Sequence, residues 1–125
     1  MSNTYKSSDT LLLEAIRYLL FSADIYTAST FASSSTAIQA YIASNTVLQV
    51  LPTNGSGNSD FNIPLSWLAV GQRVCVLNTD TNSINASINI LNGGGGTLQT
   101  ITAPHASATT LMRTPSGYVI SYTGF

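Results

Sequence analysis

Most of this chain consists of short apolar runs, rich in Val, Ile and Thr, separated by Gly, Asn, Pro and Ser about every 8–12 residues. Between Ile84 and Ile90, apolar residues alternate approximately with Asn and Ser, as in a half-solvated antiparallel strand. The pattern predicts a mainly β fold whose body is an antiparallel β-sandwich or jelly-roll-like arrangement. We expect strands at Thr36–Ala43, Thr46–Leu51, Ser59–Ile63, Arg73–Asn78, Ala86–Leu91, Thr97–Thr102, Ala108–Arg113 and Gly117–Tyr122.

The first part of the chain has a different pattern. Residues 1–34 are predicted to form an N-terminal arm with one α-helix at about Thr10–Tyr26, and residues 35–125 to form the β-sandwich body. The helix would carry an apolar stripe with steps of three and four residues. Its other positions are also largely apolar, so we expect it to be buried on more than one side, with its own body covering one side and a second subunit another. The alternative is a helix that only plugs its own sandwich. The predicted oligomer or shell interface consists of that stripe and one tryptophan: Leu12, Ile16, Leu19, Ala23, Tyr26 and Trp67.

The polar residues of the chain are hydroxyls and amides rather than ions. Only nine of 125 side chains are charged, and the net charge is −1. Four basic residues are too few to neutralise a phosphate backbone or to hold the chain on an anionic membrane, so neither nucleic acid nor membrane is an expected partner. A nearly neutral surface favours self-association.

The sequence predicts no cofactor and no metal site. One cysteine and one histidine cannot close a zinc site, and one cysteine forms no disulfide within the chain. Asn78, Asp80 and Asn82 alternate like the start of a calcium loop, but the glycine and the bidentate Glu of such a loop are missing, so we interpret them as a turn. The glycine run 93–96 lacks the Gly-Lys-Ser/Thr of a phosphate loop and is interpreted as a hairpin loop.

No catalytic cluster is evident either, and we expect the protein not to be an enzyme. His105 has no carboxylate nearby in sequence to orient it, and no Gly-x-Ser-x-Gly elbow is present. Cys75 lies between two valines inside a predicted strand, which is typical of a buried thiol. Asp60 and Asp80 could form a glycosidase pair only if the fold brought them together, and turn capping explains both.

Four aromatic residues leave open a carbohydrate-binding function. Trp67, Tyr118, Tyr122 and Phe125 could stack on sugar rings, as lectin aromatics do. The surroundings of Trp67, Pro-Leu-Ser-Trp-Leu-Ala-Val, favour a core or interface anchor instead.

The stretch from about Asn45 to Tyr122 resembles a β-rich module of tailed-phage virion proteins that is found in tail-fibre, spike and capsid-decoration chains. The matching segments are Val47–Leu51, Asn54-Gly55, Ile63–Leu65, Gly71–Val76, Ile88–Ile90, Gly93–Gly96 and Gly117–Ile120. Tyr118 stands where such modules often carry Trp. The resemblance implies a homotrimeric β-structure with a structural or attachment role and no catalysis.

Taken together, these features predict a phage virion structural protein of the capsid-decoration (cement) type, which stabilises the shell as a homotrimer. Its partners would be further copies of itself and the major capsid protein or other virion proteins. A tail-fibre or baseplate-associated module is one alternative, and a carbohydrate-binding β-sandwich with a glycan partner is another. Glu14 and Arg17 interrupt the apolar run Leu11–Leu20, so we expect no signal peptide or transmembrane segment, and a virion location after synthesis in the host cytoplasm.

Overall fold

The structure is a computed structural model, and it describes residues 20–52 and 60–124. These residues form eight strands, two α-helices and one turn of 3-10 helix at Leu65–Trp67. The helices are α1 (Ala28–Ala32) and α2 (Ser35–Ala43). The strands are β1 (Phe21–Tyr26), β2 (Val47–Val50), β3 (Asp60–Pro64), β4 (Arg73–Asn78), β5 (Ala86–Leu91), β6 (Thr97–Ala103), β7 (Ser107–Arg113) and β8 (Val119–Gly124).

The strands form a five-stranded sheet in the order β1-β2-β4-β7-β8 and a three-stranded sheet in the order β3-β5-β6. The prediction of a mainly β fold with a sandwich-like body of two sheets is therefore confirmed. The pairing is mixed rather than antiparallel throughout, because β1–β2, β2–β4 and β3–β5 are parallel. From β2 to β5 the chain alternates between the two sheets, so neighbouring strands of one sheet are joined by a crossover, and a crossover leaves them parallel.

The core lies between the two sheets and extends under the helices. Phe31 of α1 packs edge-on against Phe61 of β3, with ring centroids 5.3 Å apart, and this contact joins the helical segment to the three-stranded sheet. The buried apolar residues form one cluster: Tyr26, Ala28, Phe31, Ile38, Ile42, Leu48, Val50, Phe61, Ile63, Leu68, Val74, Val76, Ala86, Ile88, Ile90, Ala103, Leu111 and Val119.

The predicted helix at Thr10–Tyr26 is wrong for its last six residues, since Phe21–Tyr26 is strand β1; residues 10–19 lie outside the described residues. Pairing with β2 explains the strand. The main-chain N–H of Gln49 donates to Ser22 Oγ (3.1 Å), and Gln49 Nε2 donates to the Ser22 carbonyl (2.8 Å). These bonds to a distant part of the chain outweigh the local helical spacing. Ala28 and Phe31, which follow β1, are buried in the same core cluster as the strands of the body.

The predicted strand at Thr36–Ala43 is also wrong, because Ser35–Ala43 is helix α2. Ile38 and Ile42 are four residues apart and therefore lie on one helix face, where both are fully buried. Three alanines within the segment favour the helix. The other seven predicted strands correspond to β2–β8 with ends shifted by a residue or two, and Ser59 lies outside the described residues.

Candidate functional site

The outward face of the three-stranded sheet is polar. Alternation and register place hydroxyl, amide and carboxylate side chains there: Asp60, Asn62, Ser87, Asn89, Thr100 and Thr102. Across the strands, Asn89 Nδ2 donates to Asn62 Oδ1 (3.0 Å), and Thr100 Oγ1 donates to Asn89 Oδ1 (2.9 Å). This face is suited to water, as expected of a sheet with one solvated side.

The outward face of the five-stranded sheet is apolar by contrast. We use the term apolar face for its outward-facing residues: Ile25, Gln49, Arg73, Cys75, Leu77, Ala108, Thr110, Met112, Ile120 and Tyr122. Ile25 is 52% exposed, Ile120 52% and Tyr122 66%. These three side chains lie on β1 and β8, the two outermost strands, so the most exposed apolar area is at both edges of the sheet.

A shallow concavity of about 320 Å³ lies on the apolar face next to the edge strand β8. Its lining residues are Arg73, Thr110, Met112, Ile120, Ser121 and Tyr122. Arg73 thus lines the concavity together with apolar side chains and Thr110, an arrangement that can hold an apolar group together with an acidic one.

The two arginines of the described residues have different roles. Arg113 Nη1 donates to the carbonyls of Leu68 (2.7 Å) and Leu65 (3.3 Å) and so holds the 3-10 turn against β7. Arg73 is exposed and lines the concavity. Arg113 therefore has a structural role, and Arg73 is the cation that is open to a partner.

Among the described strands, β8 is the last of its sheet, and a side chain from the other sheet caps one end of its outer edge. The Val119 N–H donates to Gln99 Oε1 (2.7 Å), and Gln99 Nε2 donates to the Val119 carbonyl (2.9 Å). Both main-chain groups of Val119 therefore point away from β7. Because main-chain direction alternates along a strand, the N–H and C=O groups of Ser121 and Thr123 also point to the free side.

The interface residues predicted from sequence are only partly described. Leu12, Ile16 and Leu19 lie outside the described residues, and Ala23 is exposed on β1. Tyr26 is 4% exposed and packs against Phe31 and Tyr41 of its own chain, so it belongs to the core.

Trp67 is half-buried in the 3-10 turn and packs against the core. An aromatic ring held there is an anchor for its own turn and offers little free surface for a sugar. Of the other aromatics considered for stacking, Tyr118 and Tyr122 are well exposed, and Phe125 lies outside the described residues.

His105 and Cys75, the two residues considered for catalysis, lie in surroundings that do not activate them. Asn85 Oδ1 accepts the main-chain N–H of His105 (3.1 Å) and lies 3.4 Å from the ring Nδ1, so the hydrogen-bonding neighbour of the imidazole is an amide rather than a carboxylate. Burial raises the pKa of the Cys75 thiol, and the opposing effect of its hydrogen bond with Thr110 is smaller. A thiol with a raised pKa is protonated at neutral pH and is a poor nucleophile.

The loop after β4 uses its Asx side chains internally. Asp80 Oδ2 accepts the Ile84 N–H (2.7 Å), and Asn78 Nδ2 donates to the Ala103 carbonyl (3.0 Å). The Asp80 N–H also donates to Asn78 Oδ1 (3.0 Å), so the Asp80 bonds are those of an Asx-rich turn, and the Asn78–Ala103 bond ties this turn to β6. Within residues 20–52 and 60–124, no three His, Cys, Asp or Glu side chains are grouped so that they could hold a metal ion.

The glycine run is a hairpin turn organised by one amide. Asn92 Oδ1 accepts the N–H groups of Gly94 (2.9 Å) and Gly96 (3.0 Å). Two strands flank it, β5 and β6, as expected of a hairpin. Among the described residues, no helix has both the length and the apolar character needed to cross a membrane.

Sequence reasoning missed the apolar face, although a signal for it was present. Val74–Leu77 in β4 is continuously apolar, and Leu111-Met112 and Val119-Ile120 place apolar residues on both sides of β7 and β8. Strands of this kind are typical of sheets that are covered on both faces. The strands of the three-stranded sheet alternate instead.

Comparison of the chain with protein-family models, with curated proteins and with solved structures gave no match.

Proposed function

We propose that this chain is a non-catalytic structural protein of a tailed-phage particle, of the capsid-decoration type, which acts as a homotrimer and binds the major capsid protein or other virion proteins. The observation that carries the proposal is the contrast between the two sheets. One outward face is a hydrogen-bonded polar surface, and the other is apolar up to both of its edges. An apolar face of this kind is suited to a protein partner.

The exposed apolar side chains are large enough to matter for binding. Complete burial of an Ile or aromatic side chain contributes about 1.5–3 kcal/mol. Ile25, Ile120 and Tyr122 are each at least half exposed. Covering all three would therefore contribute about 3 kcal/mol per interface, before the costs of association.

A decoration protein needs only modest affinity at each site. A partner that binds only the assembled shell stabilises it by about 2.7 kcal/mol per site when its free concentration is a hundred times Kd. Repetition over many equivalent sites multiplies this contribution. The nearly uncharged surface also favours association, since little charge must be desolvated.

The particle assignment itself comes from the resemblance of residues 45–122 to virion modules, and the segments that carry it lie largely in β2–β8. The mainly β fold is compatible with that resemblance. Tail-fibre and baseplate modules share it, so the location on the particle is the point that an experiment must decide.

Binding to purified particles tests the proposal. Sucrose-gradient cosedimentation would be measured for the wild-type chain and for a double variant of the apolar face, Ile120→Ser with Tyr122→Ser. The matched control is Leu98→Ser with Tyr118→Ser, which removes side chains of similar size and exposure outside that face. We expect the wild type and the control to sediment with particles and the apolar-face variant to remain at the top. Equal sedimentation of all three, or of none, would contradict the proposal.

A carbohydrate-binding function is the second candidate, because the concavity is lined by the exposed Tyr122 together with Thr110 and Arg73. An aromatic platform with flanking hydrogen-bonding groups is suited to a sugar ring. A glycan-array signal that is lost in Tyr122→Ala and retained in Tyr118→Ala would favour this function over the virion role.

A further inference from the structure

We propose that copies of this chain associate head to tail, with edge strand β8 of one copy pairing in parallel with edge strand β1 of the next. The occupant of the outer edge of β8, which no other strand of residues 20–52 and 60–124 pairs, and of its concavity is thus a second copy of this chain. The inference rests on the proposed function, because it specifies which surfaces would join the subunits of the homotrimer.

Strand direction favours this arrangement. β1, β2 and β4 are parallel to one another, and β4 and β8 are each antiparallel to β7, so β1 and β8 run in the same direction. Rotation about an axis along the strands carries one copy onto the next without reversing its strands. The two unlike edges then meet as parallel neighbours, and repetition of this heterologous contact can close a ring.

Both edges have main-chain groups open at the same end of the strand. On β8, the Gln99 amide caps Val119 at the start of the strand, and Ser121 and Thr123 remain on the free side. On β1, the Tyr26 carbonyl accepts the Leu51 N–H (2.8 Å), so the main-chain groups of Tyr26 point towards β2. The main-chain groups of the preceding Ile25 therefore point to the outer side of β1.

Earlier in β1, the Ala23 N–H donates to the Tyr41 hydroxyl (3.3 Å). On both edges, a side chain therefore bonds main-chain groups near the start of the strand, and the outward main-chain groups near its end have no partner in the described strands. In a parallel pair, the bonded start of β8 lies beside the bonded start of β1, and the unpaired ends of the two strands also lie side by side. In an antiparallel pair of β8 with β8, the cap of each copy would lie towards the open end of the other.

The side chains of the two edges are complementary. Ile25 belongs to the apolar face on β1, and Ile120 and Tyr122 belong to it on β8, so pairing would join the two apolar ends of the sheet. A contact between two β8 edges would leave Ile25 of β1 uncovered.

Disulfide trapping tests this contact in the full chain. In a Cys75→Ser background, one preparation would carry Ile25→Cys alone, and two others Ile120→Cys or Tyr122→Cys alone. We expect oxidation to give covalent dimers when the β1 variant is mixed with a β8 variant, and little dimer in any preparation by itself. Light scattering of the uncrosslinked Cys75→Ser chain is expected to give about three times the 13.2 kDa chain mass.

Other outcomes would overturn the head-to-tail contact. Dimers in a β8 variant by itself would show a symmetric β8 contact, and a trimer without mixed disulfides would show that another surface joins the subunits. A chain of monomeric mass would exclude the contact altogether. Particle binding is scored separately, so that binding without mixed disulfides refutes only this contact, and mixed disulfides without particle binding refute only the proposed function.

Discussion

The Gln99 side chain connects the two sheets, and its replacement by Leu tests whether that connection stabilises the fold. The amide both donates to and accepts from the main chain of Val119, at 2.9 and 2.7 Å. Leu has nearly the same volume but can form neither bond. Val119 is 3% exposed, so its N–H and C=O groups would be left with restricted access to water.

The expected loss follows from these two bonds. Each net hydrogen bond contributes about 1 kcal/mol, and a buried group left without a partner costs about 1–3 kcal/mol. Apolar burial of the Leu side chain offsets a part of this cost. We therefore expect Gln99→Leu to lower the free energy of unfolding by about 2 kcal/mol, out of a total of about 5–15 kcal/mol for a domain of this kind.

Urea unfolding followed by circular dichroism would measure this loss at one fixed protein concentration, because association shifts apparent stability. Gln39→Leu is the matched control, since Gln39 is exposed on α2. The midpoint should fall in Gln99→Leu with an unchanged slope and should stay within error in Gln39→Leu. Equal midpoints for the two variants would refute the stabilising role of the amide bridge.

Three further predictions concern the core, a turn and the free thiol. Phe61→Ala removes a ring that is 1% exposed and in contact with Phe31, and it should cost about 3–5 kcal/mol of unfolding free energy in the same urea assay. Gly95→Ala should lower the free energy of unfolding by about 1 kcal/mol, because Gly95 has φ +86°. Gly93→Ala is the control and should lower it much less, since Gly93 has open space around it and no positive φ. Equal losses would show that the turn does not constrain Gly95. Burial raises the pKa of Cys75, so the folded chain keeps a proton that the unfolded chain releases. The free energy of unfolding should therefore fall as the pH rises through and above the ordinary thiol range. Cys75→Ser should reduce that fall. An identical pH profile for the wild type and Cys75→Ser would contradict the raised pKa.

Much of the β body could be predicted from sequence because its signals are local. The run Arg73–Asn78 is bounded by a glycine turn on one side and an Asx-rich loop on the other, and Ala86–Leu91 alternates between core and solvent. In both cases the predicted strand ends match the structure.

The elements that were predicted wrongly depend on distant contacts. Phe21–Tyr26 has helical apolar spacing in isolation, and its strand conformation comes from pairing with β2, more than 20 residues later. Parallel pairing is likewise set by how the chain alternates between sheets, and no local residue pattern specifies it. The apolar face required strands to be placed side by side, since Arg73, Met112 and Ile120 become neighbours only through register.

The location of the chain on intact particles tests the central claim most directly. Gold-labelled antibody against the chain would be applied to tailed-phage particles from its source and viewed by electron microscopy. The decoration role predicts label scattered over the icosahedral shell. Label confined to the tail or baseplate would contradict the decoration role and support the fibre-type alternative, and particles without label would contradict the virion function as a whole.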